Sequence, residues 1–227
     1  MTREKLFIVT GVNRGLGKAV FDLLLEKKQN VLALSRQFTE GQCDEAGGRV
    51  RCVSADLSKL TEEFLEGVFG YYSESFDEVI FINNASTIQP IGKIGTFSPD
   101  EISNALHLNV AAPLLIANNI LRSNLGRRIR VVNVSSGAAR RPIEGWSLYS
   151  ATKAANEMFF NVLEKEKQAE VINFDPGVLN TGMQEQIRKA SEEAMPEVNA
   201  FRELHEGGKL KEPAVVAREI WYLLKEK

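Results

Sequence analysis

The chain has 227 residues, enough for one α/β domain with a substantial core and short for two. Apolar residues make up 44% and charged residues 26%, and 28 Lys plus Arg against 30 Asp plus Glu leave a net charge of −2. That near-balance gives no electrostatic case for nucleic acid or an anionic membrane, and no apolar run approaches the roughly 20 residues needed to span a bilayer.

The first predicted element is a buried strand, Lys5 to Thr10, which ends at Gly11. Leu16 to Glu26 follows with apolar residues at helical spacing, Leu16, Ala19, Val20, Leu23 and Leu24. Asn30 to Leu34 reads as the second strand, and Gly47-Gly48 precedes a third, Val50 to Ser54. Cys43 and Cys52 flank that turn; with no signal peptide at the start, the expectation is reduced thiols in a cytoplasmic protein. A helix over about Lys59 to Tyr71 leads to a strand, Val79 to Ile82. A long helical stretch from Pro99 to Asn124 comes next, with a bend expected at Pro113. Arg130 to Val134 is the fifth strand, Leu148 to Lys167 a helix, and Val171 to Phe174 the sixth strand. Residues 179–208 are polar and predict one or two short helices, and Pro213 to Lys225 is the last helix. Regular alternation of strand and helix predicts a Rossmann-type α/β fold. Its doubly wound parallel sheet carries helices on both faces. No strand-like run follows the last helix, so the terminal strand usual in such sheets is expected to be missing. Residues 1–227 read as one domain, with 178–211 as a segment covering the substrate.

Thr10-Gly11-Val12-Asn13-Arg14-Gly15-Leu16-Gly17 falls at the first strand–helix turn. Glycines there let the backbone approach a pyrophosphate, and the helix N-terminus offers it free N–H groups and a positive dipole end. The spacing is Gly-x-x-x-Gly-x-Gly, which departs from the common dinucleotide fingerprint. The second strand ends in Leu34-Ser35-Arg36, with no acid until Glu40. An acid there would select a ribose 2′-hydroxyl; Arg14 and Arg36 instead either pair with a 2′-phosphate or are solvated surface charge. Asp56, followed by Leu57, either accepts from an adenine amino group or caps the next helix.

Tyr149 and Lys153 are four apart on a predicted helix and share a face. A phenol has a pKa of about 10, too high for a proton shuttle near neutrality, and an adjacent ammonium is expected to lower it. Ser136 ends the fifth strand, where its hydroxyl can donate to a carbonyl oxygen beside Tyr149. His107 and His205 have no metal-ligand spacing, so no metal is expected. Arg140-Arg141 reads as solvated charge, and Asp175 as either a structural acid or a functional one.

Thr10 to Gly17, Asn83-Asn84-Ala85, Asn109, Ser136, Tyr149, Lys153 and Pro176-Gly177 together resemble the short-chain dehydrogenase/reductase family over almost the whole chain. The resemblance implies a tetrad in which Tyr149 is the acid/base and Ser136 orients the substrate oxygen. It makes Lys153 the residue that binds the nicotinamide ribose and depresses the Tyr149 pKa, and Asn109 the holder of a relay water. Asn83 to Ala85 would line the cofactor, with Pro176, Gly177, Val178 and Thr181 at its nicotinamide end; Thr181 either contacts the carboxamide or caps a helix. Gly145 to Tyr149 and Pro176 to Gln184 look most like the sepiapterin reductase and bacterial benzil reductase branch, which reduces carbonyls with NADPH. Trp146 and Met183 would then wall the substrate pocket, unless they are ordinary core. Ser86 stands where the family usually has glycine, and the segment that anchors a pterin in sepiapterin reductases is absent. The expected function is NADP(H)-dependent reduction of a small-molecule carbonyl, in a homodimer joined through helices around 99–124 and 148–167. The alternatives are a non-catalytic NADP(H)-sensing module and an NAD-dependent alcohol dehydrogenase.

Overall fold

The computed structural model describes residues 4–43, 48–69, 76–123 and 126–225. Among them are six strands: β1 Lys5–Thr10, β2 Asn30–Ser35, β3 Val50–Ser54, β4 Glu78–Asn83, β5 Arg128–Val134 and β6 Glu170–Phe174. All pair in parallel, in the order β3-β2-β1-β4-β5-β6.

Side chains of a strand alternate between faces, so a strand apolar throughout supplies two cores at once. Leu6 and Ile8 of β1, Leu32 and Leu34 of β2, and Val79 and Phe81 of β4 enter one cluster. It is closed by α2 (Glu62–Phe69), α4 (Ala112–Ser123) and α5 (Ser147–Lys165), through residues such as Phe69, Ile116, Ile120 and Phe160. Phe7, Val9, Val31, Ala33, Ile80 and Ile82 enter the other, under α1 (Gly15–Glu26) and α8 (Pro213–Lys225). The strand order turns back between β1 and β4, and this switch point leaves a crevice beyond the strands' C-terminal ends.

The expected helix from Pro99 is three pieces: α3 (Pro99–Leu106), a π-helical turn His107–Ala111, and α4. Ser98 and Glu101 form a reciprocal capping box at its start. Pro113 has no N–H to give the Asn109 carbonyl, and that oxygen accepts instead from Asn156 Nδ2 at 2.6 Å. The irregularity therefore precedes the proline. The expected helix ends at Tyr71 and Asn124 lie outside the described residues.

After β6 the chain makes an excursion that returns to its own base: Asn180 N donates to Lys211 O and Lys211 N to Val178 O. The excursion holds α6 (Gly182–Arg188) and α7 (Val198–Glu206). Its Ile187, Met195, Val198 and Phe201 form a third cluster with Ile88, Ile143, Trp146 and Tyr149.

One expectation is corrected. Cys43 and Cys52 are joined by a disulfide, not free thiols. The loop after β2 turns back towards β3, helped by Gln42, which accepts from Thr39 N and donates to Val12 O. Spacing alone did not reveal that return. Arg140 and Arg141 are exposed, as expected, and are also paired, with Glu157 and Glu197.

Candidate active site

The crevice opens into a cleft of about 810 Å³. Of the residues expected to bind cofactor or substrate, Gly11, Asn13, Arg14, Gly15, Leu16, Gly17, Arg36, Asp56, Leu57, Asn84 and Ala85 line one end. Ser136, Trp146, Tyr149, Lys153, Pro176, Gly177, Val178, Thr181 and Met183 line the other. Asn83 and Asn109 do not reach its surface; both are buried, and their amides serve neighbouring elements.

At the first turn, Gly11 has a φ of +73°, and a Cβ on Gly17 would collide with the Gly11 carbonyl oxygen. Glycine is needed at both places for α1 to begin so close to the strand end. Thr10 Oγ1 accepts from Asn84 N at 3.1 Å and Ala85 N at 3.0 Å, while Asn84 Nδ2 donates to Thr10 O at 2.9 Å. The end of β4 thus holds the loop in shape. No side chain caps the first turn of α1, so the arrangement fits an anionic group over that turn. Arg14 and Arg36 are exposed at the cleft edge. Asp56 caps the Leu57–Lys59 turn through Ser58 N, and its carboxyl is held low chiefly by the Ser58 hydroxyl.

At the inner end, Tyr149 and Lys153 stand one turn apart on α5, 7% and 3% exposed. Lys153 Nζ donates to Val134 O at 2.8 Å and lies 5.6 Å from the centre of the Tyr149 ring. The Ser136 hydroxyl faces the Tyr149 oxygen closely enough to favour its ionised form. Burial pushes the Tyr149 phenol up to about 12, against the Ser136 hydroxyl that lowers it and with the Asp175 charge that raises it further. Burial also pulls Lys153 down to about 8, opposed by Glu157. The expected lowering of the phenol by its lysine is not found: desolvation is the largest influence on Tyr149, and Lys153 is not among the groups that shift it. Tyr149 keeps its proton through the neutral range, as a proton donor must.

The Asn109 side chain accepts from Thr87 N at 2.8 Å and donates to Thr87 O and Thr152 Oγ1, tying the π-helical turn to the segment after β4 and to α5. Thr181 both lines the cleft and caps α6. Trp146 is wall and core together, stacked edge-on against Tyr149 with ring centres 5.5 Å apart. Sequence reasoning missed Ile88, Ile143 and Phe201, which complete the apolar wall. Phe201 sits in the polar 179–208 stretch, where a lone aromatic was the available signal.

A phosphate-accepting strand–helix turn joined by one cleft to a Ser–Tyr–Lys group defines a dinucleotide-dependent oxidoreductase. A family model for the short chain dehydrogenases matches residues 5–192. The chain belongs to the short-chain dehydrogenase family, whose members use a nicotinamide cofactor. It is 34% identical to benzil reductase ((S)-benzoin forming) of Bacillus subtilis, over 98% of this chain and 94% of that protein. It is 33% identical to sepiapterin reductase of Bos taurus, over 96% of this chain and 90% of that one. The crystal structure of the KRED1-Pglu enzyme superposes with a TM-score of 0.82 at 26% identity, covering 94% of this chain and 91% of that chain.

Proposed function

We propose that the protein is an NADPH-dependent reductase of small-molecule carbonyls, with vicinal diketones as the favoured class. The observation that carries this is a single cleft holding Ser136, Tyr149 and Lys153 at one end and Arg14 and Arg36 at the other. When bound, the nicotinamide nucleotide supplies the hydride. The chain's own residues bind it, position the carbonyl and move the proton. The turn from Gly11 to Gly17 holds the pyrophosphate, Arg14 and Arg36 the 2′-phosphate, and Asp56 with Leu57 the adenine. Asn83 supports this floor from beneath, while Asn84, Ala85, Pro176, Gly177, Val178 and Thr181 flank the nicotinamide half. Ser136 and Tyr149 donate to the substrate oxygen, and Tyr149 gives up its proton as negative charge develops there. Lys153 offsets the charge left on Tyr149, and Asn109 keeps the π-helical turn in place behind them.

The apolar wall of Ile88, Ile143, Trp146, Met183 and Phe201 suits hydrocarbon substituents, and the name of the benzil reductase relative supports a diketone. Residues 178–211 act as the cover over this pocket. The reading extends to a homodimer, whereas the Cys43–Cys52 disulfide removes the thiol argument for a cytoplasmic location. The dimer's contact face is α4 and α5, on which Leu115, Met158 and Val162 are exposed.

The test is turnover of NADPH with a panel of vicinal diketones, followed by absorbance. Tyr149→Phe should lower turnover by roughly 10²- to 10⁴-fold while NADPH affinity stays near wild type. A protein that binds NADPH yet reduces no carbonyl would overturn the proposal.

A further inference from the structure

One acidic side chain beside the site has no part in the chemistry above. Glu157 lies on α5 one turn beyond Lys153, so Tyr149, Lys153 and Glu157 form a single row. Its carboxylate is only 13% exposed. It accepts from the Ser135 hydroxyl at 2.6 Å, and from the Arg140 guanidinium at 3.0 Å (Nη2) and 3.3 Å (Nε). Ser135 immediately precedes Ser136. Arg140 follows the short turn Gly137–Ala139, which Ser136 itself caps. The segment bearing Ser136 is thus fastened to α5 on both sides of that residue, at one carboxylate.

We propose that Glu157 is a positioning residue for the reaction: it fastens the Ser135–Arg140 segment to α5, setting Ser136 against Tyr149, and places a fixed negative charge behind Lys153. The inference rests on the reductase reading for its catalytic consequence, but the geometry stands without it. Two features make the arrangement more than a surface ion pair. The acceptor is nearly buried, where charge-assisted hydrogen bonds are stronger than in water. The groups it joins also come from the segment that follows β5 and from α5, which between them carry all three reacting side chains. The charges around Lys153 are few. Glu157 faces it from its own helix, Tyr149 from the preceding turn and the Val134 carbonyl from β5; Arg140 approaches Glu157 from the turn, and Asp175 stands beyond Tyr149 at the end of β6.

Glu157→Gln keeps the shape and one acceptor oxygen but removes the charge, and Glu157→Ala removes both. Two measurements separate this inference from the reading it rests on. The first needs no turnover: NMR titration of the Lys153 ε-methylene, assigned with Lys153→Met. In Glu157→Gln the midpoint should fall by roughly one unit from its wild-type value. The second is the pH profile of kcat on whichever carbonyl the wild type reduces. Glu157→Gln should lower kcat about tenfold and move the alkaline limb to lower pH, while the NADPH Kd changes little. An unchanged Lys153 midpoint in folded Glu157→Gln overturns the proposal, and so does a wild-type pH profile, even if Glu157→Ala is too unstable to purify. If the wild type reduces nothing, the reductase reading fails, and the NMR midpoint still decides the place of Glu157.

Discussion

Lys153 brings an ordinary pKa of 10.5 into a site that holds it near 8. Below about pH 8 the folded and unfolded chains both carry the proton, and the folded state bears the whole penalty of a buried ammonium. Between about 8 and 10.5 the folded state has released a proton that the unfolded chain keeps, so stability should rise with pH through that window. Tyr149 acts in the opposite sense at higher pH. Its phenol titrates near 12 when folded and near 10 when unfolded, so stability should fall between those values. Lys153→Met should therefore raise the unfolding free energy at pH 7 by up to about 3 kcal/mol, less what the Val134 carbonyl loses, while abolishing turnover. Urea denaturation at pH 7 and pH 9.5 checks both signs: the gain should shrink at the higher pH. Arg36 carries a separate expectation. Arg36→Ala should weaken NADPH binding by about tenfold and leave NADH binding nearly unchanged. Equal losses for the two nucleotides would remove the 2′-phosphate from its role.

The end of the sheet opposite the cleft is held by buried charge. Arg130 of β5 is 1% exposed; it donates to Leu224 O at 2.7 Å and lies 3.3 Å from Glu170 and 3.8 Å from Glu78, which is itself 1% exposed. It thereby ties β4, β5 and β6 to the last turn of α8, whose carbonyls have no helical partners. Arg130→Ala should cost about 3 kcal/mol, because buried Glu78 loses one of its three cations, keeping Lys5 and Arg128, and the Leu224 carbonyl loses its donor. Arg128→Ala, at the partly exposed side of the same cluster, should cost clearly less in the same urea titration. The strands and helices themselves were largely legible in the sequence, since each is apolar at a regular period. The disulfide was not, because it depends on where a polar loop returns. The π-helical turn was half legible: Pro113 signalled a break, but the break falls where Asn156 claims the orphaned carbonyl. The Cys43–Cys52 crosslink fastens the loop that carries Gln42, whose amide holds Val12 O within the phosphate-binding turn. Cys43→Ser with Cys52→Ser should lower stability by about 2 kcal/mol in calorimetry.

Seen as one body, the molecule joins a rigid sheet to an excursion that begins and ends at one point. The floor of the cleft could be read from glycine spacing, strand ends and a Tyr–Lys pair, because each is a local pattern. Its roof could not, since Phe201, Ile187 and Met195 are scattered among charged residues and acquire meaning only through Ile88, Ile143 and Trp146, distant in sequence. Where roof meets floor the backbones nearly touch: Gly145, at a φ of +84°, has no room for a Cβ beside the Ala194 carbonyl. A single methyl there acts as a wedge under a closed door. In Gly145→Ala the excursion would swing outward, water would reach the space beside Trp146, and bulky diketones would lose their grip before the nucleotide did.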